Sequence, residues 1–393
     1  MTFPRQARWS HRLFGTTAGL ALFVAVGACS TETGSGATAA ADDDVARAAV
    51  QALEESFYDQ GSYSEPPSTG PTAQEGYRIA VVNAGVQSPS GTKQVNAARE
   101  VAELLDWELS VFDGEYEPSA YQEGIRRAIT QGADVIWLYS IDCPLVKTAL
   151  VEARRAGIPV VSQESADCNE VDPADKSYFA ESLQFSEGSF IDWGKALGAA
   201  QATWLLAKLG QDADIIEVSV PDLVVLQALH DGFTEVMNER CPDCKVTTVE
   251  AQIADLGPTL QEKSETALLR NPSANGMAVS YDDLMTAGGS AAVMASGRNS
   301  SIEVVAGTGF PANVELVRDD QGQDAGFAYD MGFETWAAAD MVNRLLAGQK
   351  QDPAGSDVGV AVYDRESGLP TEGSDWTTDI DYKSVYKKVW GVS

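Results

Sequence analysis

Histidine, the commonest general base in enzymes, is almost absent from this chain of 393 residues, which contains only His11 and His230. His230 lies in a predicted helix, and no cluster of histidines and cysteines has the spacing of a metal site. The sequence also lacks the G-x-S-x-G nucleophile elbow and the Walker phosphate loop. We therefore predict a binding protein without metal or cofactor, not an enzyme. A glycosidase that uses paired carboxylates has no sequence signature, and it stays open as an alternative.

Apart from Cys29, the chain has four cysteines, an even number that suits an oxidising compartment. Cys241 and Cys244 form a close pair in a turn after a predicted helix. Cys143 and Cys168 each follow the end of a predicted strand in one lobe. These positions predict the disulfides Cys143–Cys168 and Cys241–Cys244. A redox CxxC motif is the alternative for the second pair, although no thioredoxin-like context surrounds it.

The N-terminus predicts export from the cytoplasm. A basic head precedes the apolar run Leu20–Val26, which is too short to span a bilayer and is typical of a secretory signal peptide. Val26-Gly27-Ala28-Cys29 resembles the bacterial lipobox, and this resemblance implies that residues 1–28 are removed and that Cys29 is acylated. We expect a lipoprotein on the outer face of the cell membrane; an ordinary signal peptide with an incidental cysteine is the alternative.

The net charge of −31, from 27 basic and 58 acidic residues, excludes some classes of partner. Nucleic-acid binding requires clustered Lys and Arg to neutralise phosphates, and so does binding to an anionic membrane through a basic face. We therefore expect no nucleic-acid partner. The acidic surface favours solubility and does not identify a ligand.

From Tyr77 onward, short apolar runs alternate with amphipathic helical segments, the pattern of a parallel sheet covered on both faces. Before it, residues 30–41 predict a flexible tether, residues 45–58 a helix, and residues 61–76 a linker. The alternation occurs twice along the chain, so we predict two similar doubly wound α/β lobes. The predicted strands are Arg78–Asn83, Glu108–Phe112, Val135–Tyr139, Pro159–Ser162, Asp214–Val220, Lys245–Glu250, Gly276–Ser280, Glu303–Gly307 and Ala325–Tyr329.

In open α/β sheets, ligands bind beyond the carboxyl ends of the strands. Two such lobes that face each other would form a cleft lined by the loops at their strand ends. The loops expected there are Asn83–Gly91, Gln163–Ser165, Tyr281–Asp282, Thr308–Phe310 and Tyr329–Asp330.

Several motifs, taken in order and spacing, resemble the type I periplasmic binding proteins of ABC transporters, and their ribose-binding-like branch in particular. The resemblance covers about residues 77 to 390. Its motifs are Phe112-Asp113, Gln131-Gly132-Ala133-Asp134, Ala156–Val161, Asp231-Gly232-Phe233, Ser280–Asp283 and Leu345–Gly348.

The resemblance implies two lobes joined by three chain crossings, which close around a solute by hinge bending. The crossings are expected near Gln184–Ser189, Tyr329–Asp330 and Pro353–Val362. The N-terminal lobe would comprise residues 77–186 and 330–355, and the C-terminal lobe residues 187–329 and 356–393. Residues 29–76 would form the lipidated Cys, tether and short helix. The family also implies a monomer that delivers a sugar, polyol or related molecule to a membrane permease.

The family's ligand residues carry over only in part. Its acidic sugar ligand falls on Glu164, where a carboxylate can accept charge-assisted hydrogen bonds from hydroxyl groups. Its aromatic loop after the first strand becomes Ser88-Pro89-Ser90-Gly91, and its second-lobe arginine becomes Leu229. Two other replacements, Tyr281 and Tyr329, offer an apolar face with a polar handle, which suits the C–H side of a sugar ring. The complete set of predicted ligand-binding residues is Asn83, Ser88, Ser90, Glu164, Ser165, Tyr281, Asp282, Thr308 and Tyr329.

We therefore expect an extracytoplasmic solute-binding lipoprotein of an ABC importer, with a sugar or polyol as its ligand. Two alternatives stay open. One belongs to another functional class, a ligand-sensing lipoprotein that feeds a signalling receptor. The other is a binding protein too, a nucleoside-binding lipoprotein whose purine stacks on the two tyrosines.

Overall fold

The computed structural model describes residues 36–58, 61–350 and 358–393. The signal segment, Cys29 and part of the third predicted crossing lie outside these residues. Strands β1 to β11 are Arg78–Asn83, Glu108–Asp113, Val135–Tyr139, Val160–Gln163, Glu181–Ser182, Asp214–Ser219, Lys245–Glu250, Gly276–Val279, Glu303–Thr308, Ala325–Ala328 and Ala361–Asp364. Helices α1 to α13 are Gly36–Ser56, Pro89–Leu104, Pro118–Gln131, Cys143–Ala156, Cys168–Val171, Phe190–Leu209, Val224–Arg240, Pro258–Arg270, Asp282–Leu284, Ser290–Ser296, Pro311–Arg318, Met331–Leu346 and Tyr382–Trp390.

Two sheets with matching topology form the two lobes. The first has the strand order β2-β1-β3-β4-β5, and all its pairs are parallel. The second repeats this order as β7-β6-β8-β9-β10 and adds β11 as an antiparallel edge strand. Central strands such as Val135–Tyr139 are buried along their whole length, because helices cover both faces of the sheet. The predicted fold of two doubly wound α/β lobes is confirmed.

The nine predicted strands agree with the structure to within one residue at each end. Two strands, β5 and β11, and three helices, α5, α11 and α13, were not predicted from the sequence. Strands β5 and β11 and helices α5 and α11 are short, so each has too few residues for a hydrophobic period to be recognised. The helix α13 did carry a signal, because Asp381 caps its N-terminus and Gly391 ends it in the left-handed conformation.

Helices α6 and α7 pack unusually closely, and glycines make this possible. A Cβ atom placed on Gly198 would lie 1.9 Å from the carbonyl oxygen of Leu229, and one on Gly232 would lie 2.0 Å from that of Lys195. The two helices thus touch backbone to backbone, which no larger residue permits. This contact sets where the start of α7 lies relative to the second sheet.

The three expected crossings connect the lobes. The first runs from β5 to α6, where the amide of Ser186 donates to the carbonyl of Val358 on the third crossing at 3.2 Å. The second is Tyr329–Asp330, between β10 and α12. The helix α12 packs on α2 and β4, and Gln163 donates to Thr335 at 3.2 Å, so α12 contacts the first sheet and its helices.

The N-terminal segment differs from its prediction. Helix α1 begins at Gly36, inside the stretch predicted as a flexible tether, because Gly36–Ala41 is rich in alanine, the strongest helix former. Ala49 and Leu53 are buried, and α1 packs on α6 of the second lobe. A helix predicted as part of a free N-terminal extension is therefore attached to one lobe.

The predicted linker, residues 61–76, is a packed strap that crosses the hinge. At its start, Ser62 donates its amide to Val360 at 3.2 Å, and at its end Gln74 donates its amide to Asn343 at 2.9 Å. Arg344 also donates to the carbonyl of Thr69 at 2.7 Å. The segment has no regular structure, as its composition indicates, but side chains of α12 satisfy its main-chain groups.

The C-terminal tail divides between the lobes, which corrects the assignment of residues 356–393 to the second lobe. Strand β11 and Trp376 do pack there, and Trp376 donates its amide to Gly309 at 3.0 Å. Helix α13 instead returns to α12, where Trp390 stacks on Trp336 with ring centroids 5.5 Å apart and donates to Asp340 at 2.8 Å. The helix α13 packs there because its aromatic side chains bury the aromatic ring of Trp336 on α12.

Among the described residues, no helix combines the length and the apolar character that crossing a membrane requires.

Candidate ligand-binding site

A cleft of about 460 Å³ lies between the lobes, at the carboxyl ends of both sheets. Parallel strands bring these ends to one edge of each sheet, and the crossings turn the two edges toward each other. Six first-lobe residues line the cleft: Ser88, Pro89, Ser90, Tyr116, Ser140 and Glu164. The second lobe supplies the opposite wall, and Tyr329 lies at the hinge between them.

Glu164 is the acidic group of the cleft. It follows β4 directly, is only 8% exposed, and accepts a hydrogen bond of 3.1 Å from the hydroxyl of Tyr329. Burial raises the pKa of Glu164, while hydroxyl groups of Tyr329 and Tyr139 oppose that rise by stabilising the carboxylate. The carboxylate therefore lies where a ligand's hydroxyl groups can donate to it.

A second acid, Glu334 on α12, faces Glu164 from behind. Its side chain is fully buried, and burial together with the charge of Glu164 raises the pKa of Glu334 well above its usual range. Two adjacent buried carboxyl groups do not both ionise near neutral pH, so the proton stays on Glu334. Glu164 can then keep its charge and act as an acceptor.

Four lining residues that are not glycine have backbone φ angles in the left-handed region, and one of them, Tyr116 in the turn after β2, has a φ of 57°. Ser140, Glu164 and Thr308, at the ends of β3, β4 and β9, have φ angles of 56°, 51° and 143°. Such conformations cost free energy and persist only where the surrounding structure holds them. Their shared position at the cleft indicates that the strand ends are shaped to present these side chains and their backbone to a ligand.

Asp282 shapes the second-lobe loop without lining the cleft. Its carboxylate accepts hydrogen bonds from the amides of Gly309 at 2.7 Å and Phe310 at 3.1 Å, which fixes the loop that carries Thr308. Burial raises the pKa of Asp282 to about 7. The next residue, Asp283, lines the cleft instead, and burial raises its pKa to about 6.

Asn83 likewise supports a loop from behind the cleft. Its side chain accepts from the amide of Gly85 at 2.9 Å and donates to Gln94 at 3.0 Å, which holds the turn leading to α2. Ser88 caps α2 by accepting from the amide of Gly91 at 3.0 Å, and it also faces the cleft. Ser88 therefore both caps a helix and lines the cleft.

Ser165 points away from the cleft. Its hydroxyl accepts from the amide of Ile141 at 2.9 Å and donates to the carbonyl of Gln163 at 3.1 Å, so it joins two strand-end loops. Of the nine residues predicted from sequence, six line the cleft and three do not. The three that do not are Asn83, Ser165 and Asp282.

Several lining residues were not predicted. Tyr116 lies in the turn after β2, and Asp283 follows the predicted Asp282, so the strand-end rule was a signal for both. Trp193 on α6 is 4% exposed and also borders the cleft, and its ring lies edge-on to that of Tyr329 with centroids 5.1 Å apart. The rule that ligands bind at strand ends could not identify Trp193, because this residue lies in the first turn of helix α6.

The lobes touch across the cleft. The amide of Val224, at the start of α7, lies close enough to the carboxylate of Asp142, at the start of α4, to oppose the rise of the Asp142 pKa that burial causes. On another side of the cleft, Lys93 of α2 forms an ion pair of 2.6 Å with Asp375 in the C-terminal tail. These contacts join groups that opening of the hinge would separate.

The structure pairs Cys143 with Cys168 and Cys241 with Cys244 at disulfide distance, the two predicted pairings. The first pair ties the start of α4 to α5, next to the loop that carries Glu164. The second lies at the turn between α7 and β7, far from the cleft loops of the first lobe.

A family model described as the periplasmic binding protein domain matches residues 79–350. A comparison with curated protein sequences gives no significant match.

Among solved structures, an ABC sugar transporter subunit from Rhodobacter sphaeroides is 20% identical, with a TM-score of 0.63 over 75% of this chain and 99% of that one. An ABC transporter solute-binding protein from Mycobacterium smegmatis, with bound glycerol, is 22% identical, with a TM-score of 0.61 over 76% and 99%. One from Actinobacillus succinogenes, with bound D-allose, is 18% identical, with a TM-score of 0.63 over 74% and 98%. At these identities the likeness demonstrates a shared fold.

Proposed function

The chain belongs to the periplasmic binding protein domain family, and we propose that it is the solute-binding component of an ABC importer, with a sugar or polyol as its ligand. The family consists of extracytoplasmic binding proteins, not enzymes, which confirms that part of the prediction. The similar structures from Mycobacterium smegmatis and Actinobacillus succinogenes hold glycerol and D-allose, and they support a hydroxylated ligand here.

One observation supports the proposal most directly: a buried carboxylate, Glu164, lies in the cleft between the two lobes with a tyrosine hydroxyl already bonded to it. Carboxylates accept strong, charge-assisted hydrogen bonds from hydroxyl donors. The hydroxyl groups of Ser88, Ser90 and Thr308 add further donors and acceptors around the cleft. The proposed ligand site comprises these residues with Tyr281 and Tyr329.

Binding is proposed to close the lobes around the solute. An open form would separate Asp142 from Val224 and Lys93 from Asp375, and closure would restore both contacts. The ligand would then be bonded to both lobes and shielded from water. The closed form presents one continuous surface to the permease, which distinguishes loaded from empty protein.

The proposed processing and anchoring follow the sequence, and the proposed lobe boundaries follow the contacts in the structure. Residues 1–28 are removed, Cys29 is acylated, and the monomeric protein stays attached to the outer face of the cell membrane. The proposed first lobe comprises residues 77–186, 330–350 and α13. The second comprises α1, residues 187–329 and β11. Metabolic labelling with a fatty acid tests the anchor, because Cys29→Ser would abolish incorporation.

The ligand is tested by thermal unfolding of the chain from residue 30 onward against sugars and polyols. A ligand at 100 times its dissociation constant stabilises the fold by about 2.7 kcal/mol, a shift of several degrees. We expect at least one sugar or polyol to give this shift. If none does, while amino acids or other solutes do, the proposed ligand class is wrong.

The role of Glu164 is tested with Glu164→Gln, which keeps the shape of the side chain and removes its charge. We expect affinity for the identified solute to fall by about 10- to 100-fold, since a charge-assisted hydrogen bond is worth about 1.5–3 kcal/mol. Glu103→Gln, on the exposed face of α2, is the control for loss of one charge. Equal affinity of both variants in calorimetry would remove Glu164 from the site.

A further inference from the structure

The two sides of the cleft differ in chemistry. The first-lobe side presents the hydroxyl groups of Ser88, Ser90 and Ser140 and the carboxylate of Glu164. Facing it is a surface that we call the apolar wall, formed by α6, the start of α7 and the loop after β7. Its members are Trp193, Leu197, Val225, Leu229, Ile253 and Leu256.

The apolar wall is accessible to a ligand. Leu256 is 37% exposed, and Val225 and Ile253 are partly exposed, although they lie inside a concave cleft. Leu229 and Trp193 behind them are buried, so the wall is backed by packed core and cannot collapse into it. Exposed apolar surface in a cleft gains free energy when a ligand covers it with apolar atoms.

The charges of the lining exclude several ligands. Among the described lining residues there is no lysine, arginine or histidine, while Glu164 and Asp283 supply two carboxyl groups. A phosphate or carboxylate ligand would meet these groups with no compensating cation. A nucleobase placed on the apolar wall would lose the hydrogen bonds of its edge to water without replacement, at a cost in affinity.

We propose that the natural ligand is a sugar or polyol that carries an apolar substituent about the size of an aromatic ring. The hydroxylated part donates to Glu164, and the substituent covers the apolar wall. The cleft volume of about 460 Å³ lies within the range of about 300–1,000 Å³ typical of small-molecule sites. This inference rests on the proposed function and specifies its ligand class.

The test compares matched ligands by calorimetry: D-glucose and D-galactose, their phenyl β-glycosides, and the nucleosides adenosine and uridine. Burial of a phenyl ring should tighten binding by about 10- to 100-fold over the parent sugar. The phenyl glycoside is expected to bind more tightly than either nucleoside, because its ring has no polar edge to desolvate.

A double variant, Ile253→Ser with Leu256→Ser, tests the location of the substituent. Both side chains are partly exposed, so the fold should tolerate the change, which thermal unfolding checks. The variant should lose about 10-fold in affinity for the phenyl glycoside and less for the parent sugar. Leu269→Ser, 79% exposed on α8 and outside the cleft, is the matched control and should alter neither affinity.

The outcomes separate the two proposals. Parent sugars that bind as tightly as their phenyl glycosides would overturn the apolar-substituent inference and leave the proposed function intact. If a nucleoside binds more tightly than any glycoside, the apolar wall does not bind an apolar substituent, and this inference is overturned. If these sugars and glycosides fail to bind, and no sugar or polyol shifts the thermal unfolding, the proposed function is rejected together with this inference.

Discussion

Replacement of Asp282 by Asn should reveal the effect of a carboxyl group whose pKa burial raises to about 7. Asp282 is fully buried, and its side chain holds the amides of Gly309 and Phe310. Asn has nearly the same shape, and its oxygen can accept from both amides. The substitution therefore removes the titration while it preserves the loop that carries Thr308.

The magnitude follows from the pKa of Asp282, which burial raises from 3.8 to about 7. Because the folded state favours the protonated form, this group's contribution to stability is complete below the unfolded pKa. It is lost as the pH rises toward the folded pKa. Each pKa unit corresponds to about 1.4 kcal/mol, so the wild-type protein should lose about 3 kcal/mol between pH 4.5 and pH 8 through this group. Asp282→Asn should not lose it.

Urea unfolding of both proteins at four pH values between 4.5 and 8 measures this difference, with fluorescence and circular dichroism checked for coincident transitions. The free energy of unfolding of the variant, minus that of the wild type, should rise by about 3 kcal/mol across this range. Asp243→Asn, at an exposed turn, controls for the loss of one negative charge. Parallel pH profiles for wild type and Asp282→Asn would refute the reasoning.

Two further predictions concern the framework of the cleft. Replacing Cys143 and Cys168 together by Ser should lower the free energy of unfolding by about 3.5 kcal/mol, since their sequence separation is 25; an unchanged denaturant midpoint would show that the bond does not form. Gly198→Ala should force α6 away from Leu229 and cost about 1–3 kcal/mol, which thermal unfolding measures. Gly124→Ala, whose added Cβ would lie 3.0 Å from a side-chain atom of Val82 and not against a backbone carbonyl, is the matched control and should cost less.

The strands and the fold class could be predicted from the sequence, because a strand buried on both faces needs a continuous apolar run. Arg78–Asn83 and Val135–Tyr139 are strands of this kind, and both have the predicted bounds. The repeat of this pattern was enough to indicate two lobes. Short elements such as β11 carry no such signal, and their place depends on the neighbours that they pair with.

The candidate site was predicted where position along a strand determines the role of a residue. Glu164 and Tyr329 follow strand ends, and both line the cleft. The sequence could not distinguish residues that line the cleft from residues that hold its loops in place by hydrogen bonds. Asp282 and Asp283 are adjacent in the chain, yet the first holds a loop and the second lines the cleft, because the helical turn rotates them to different sides.

The sequence by itself determined the order of the elements, the two-lobed architecture and the strand ends at which a ligand would bind, because these depend on local hydrophobic period. Only the tertiary structure decided that Glu334 lies behind Glu164, 170 positions away along the chain. It also decided that residues 61–76 form a packed strap and that α13 joins the first lobe. Contacts between distant segments depend on how lobes and crossings pack, and no local pattern contains that information.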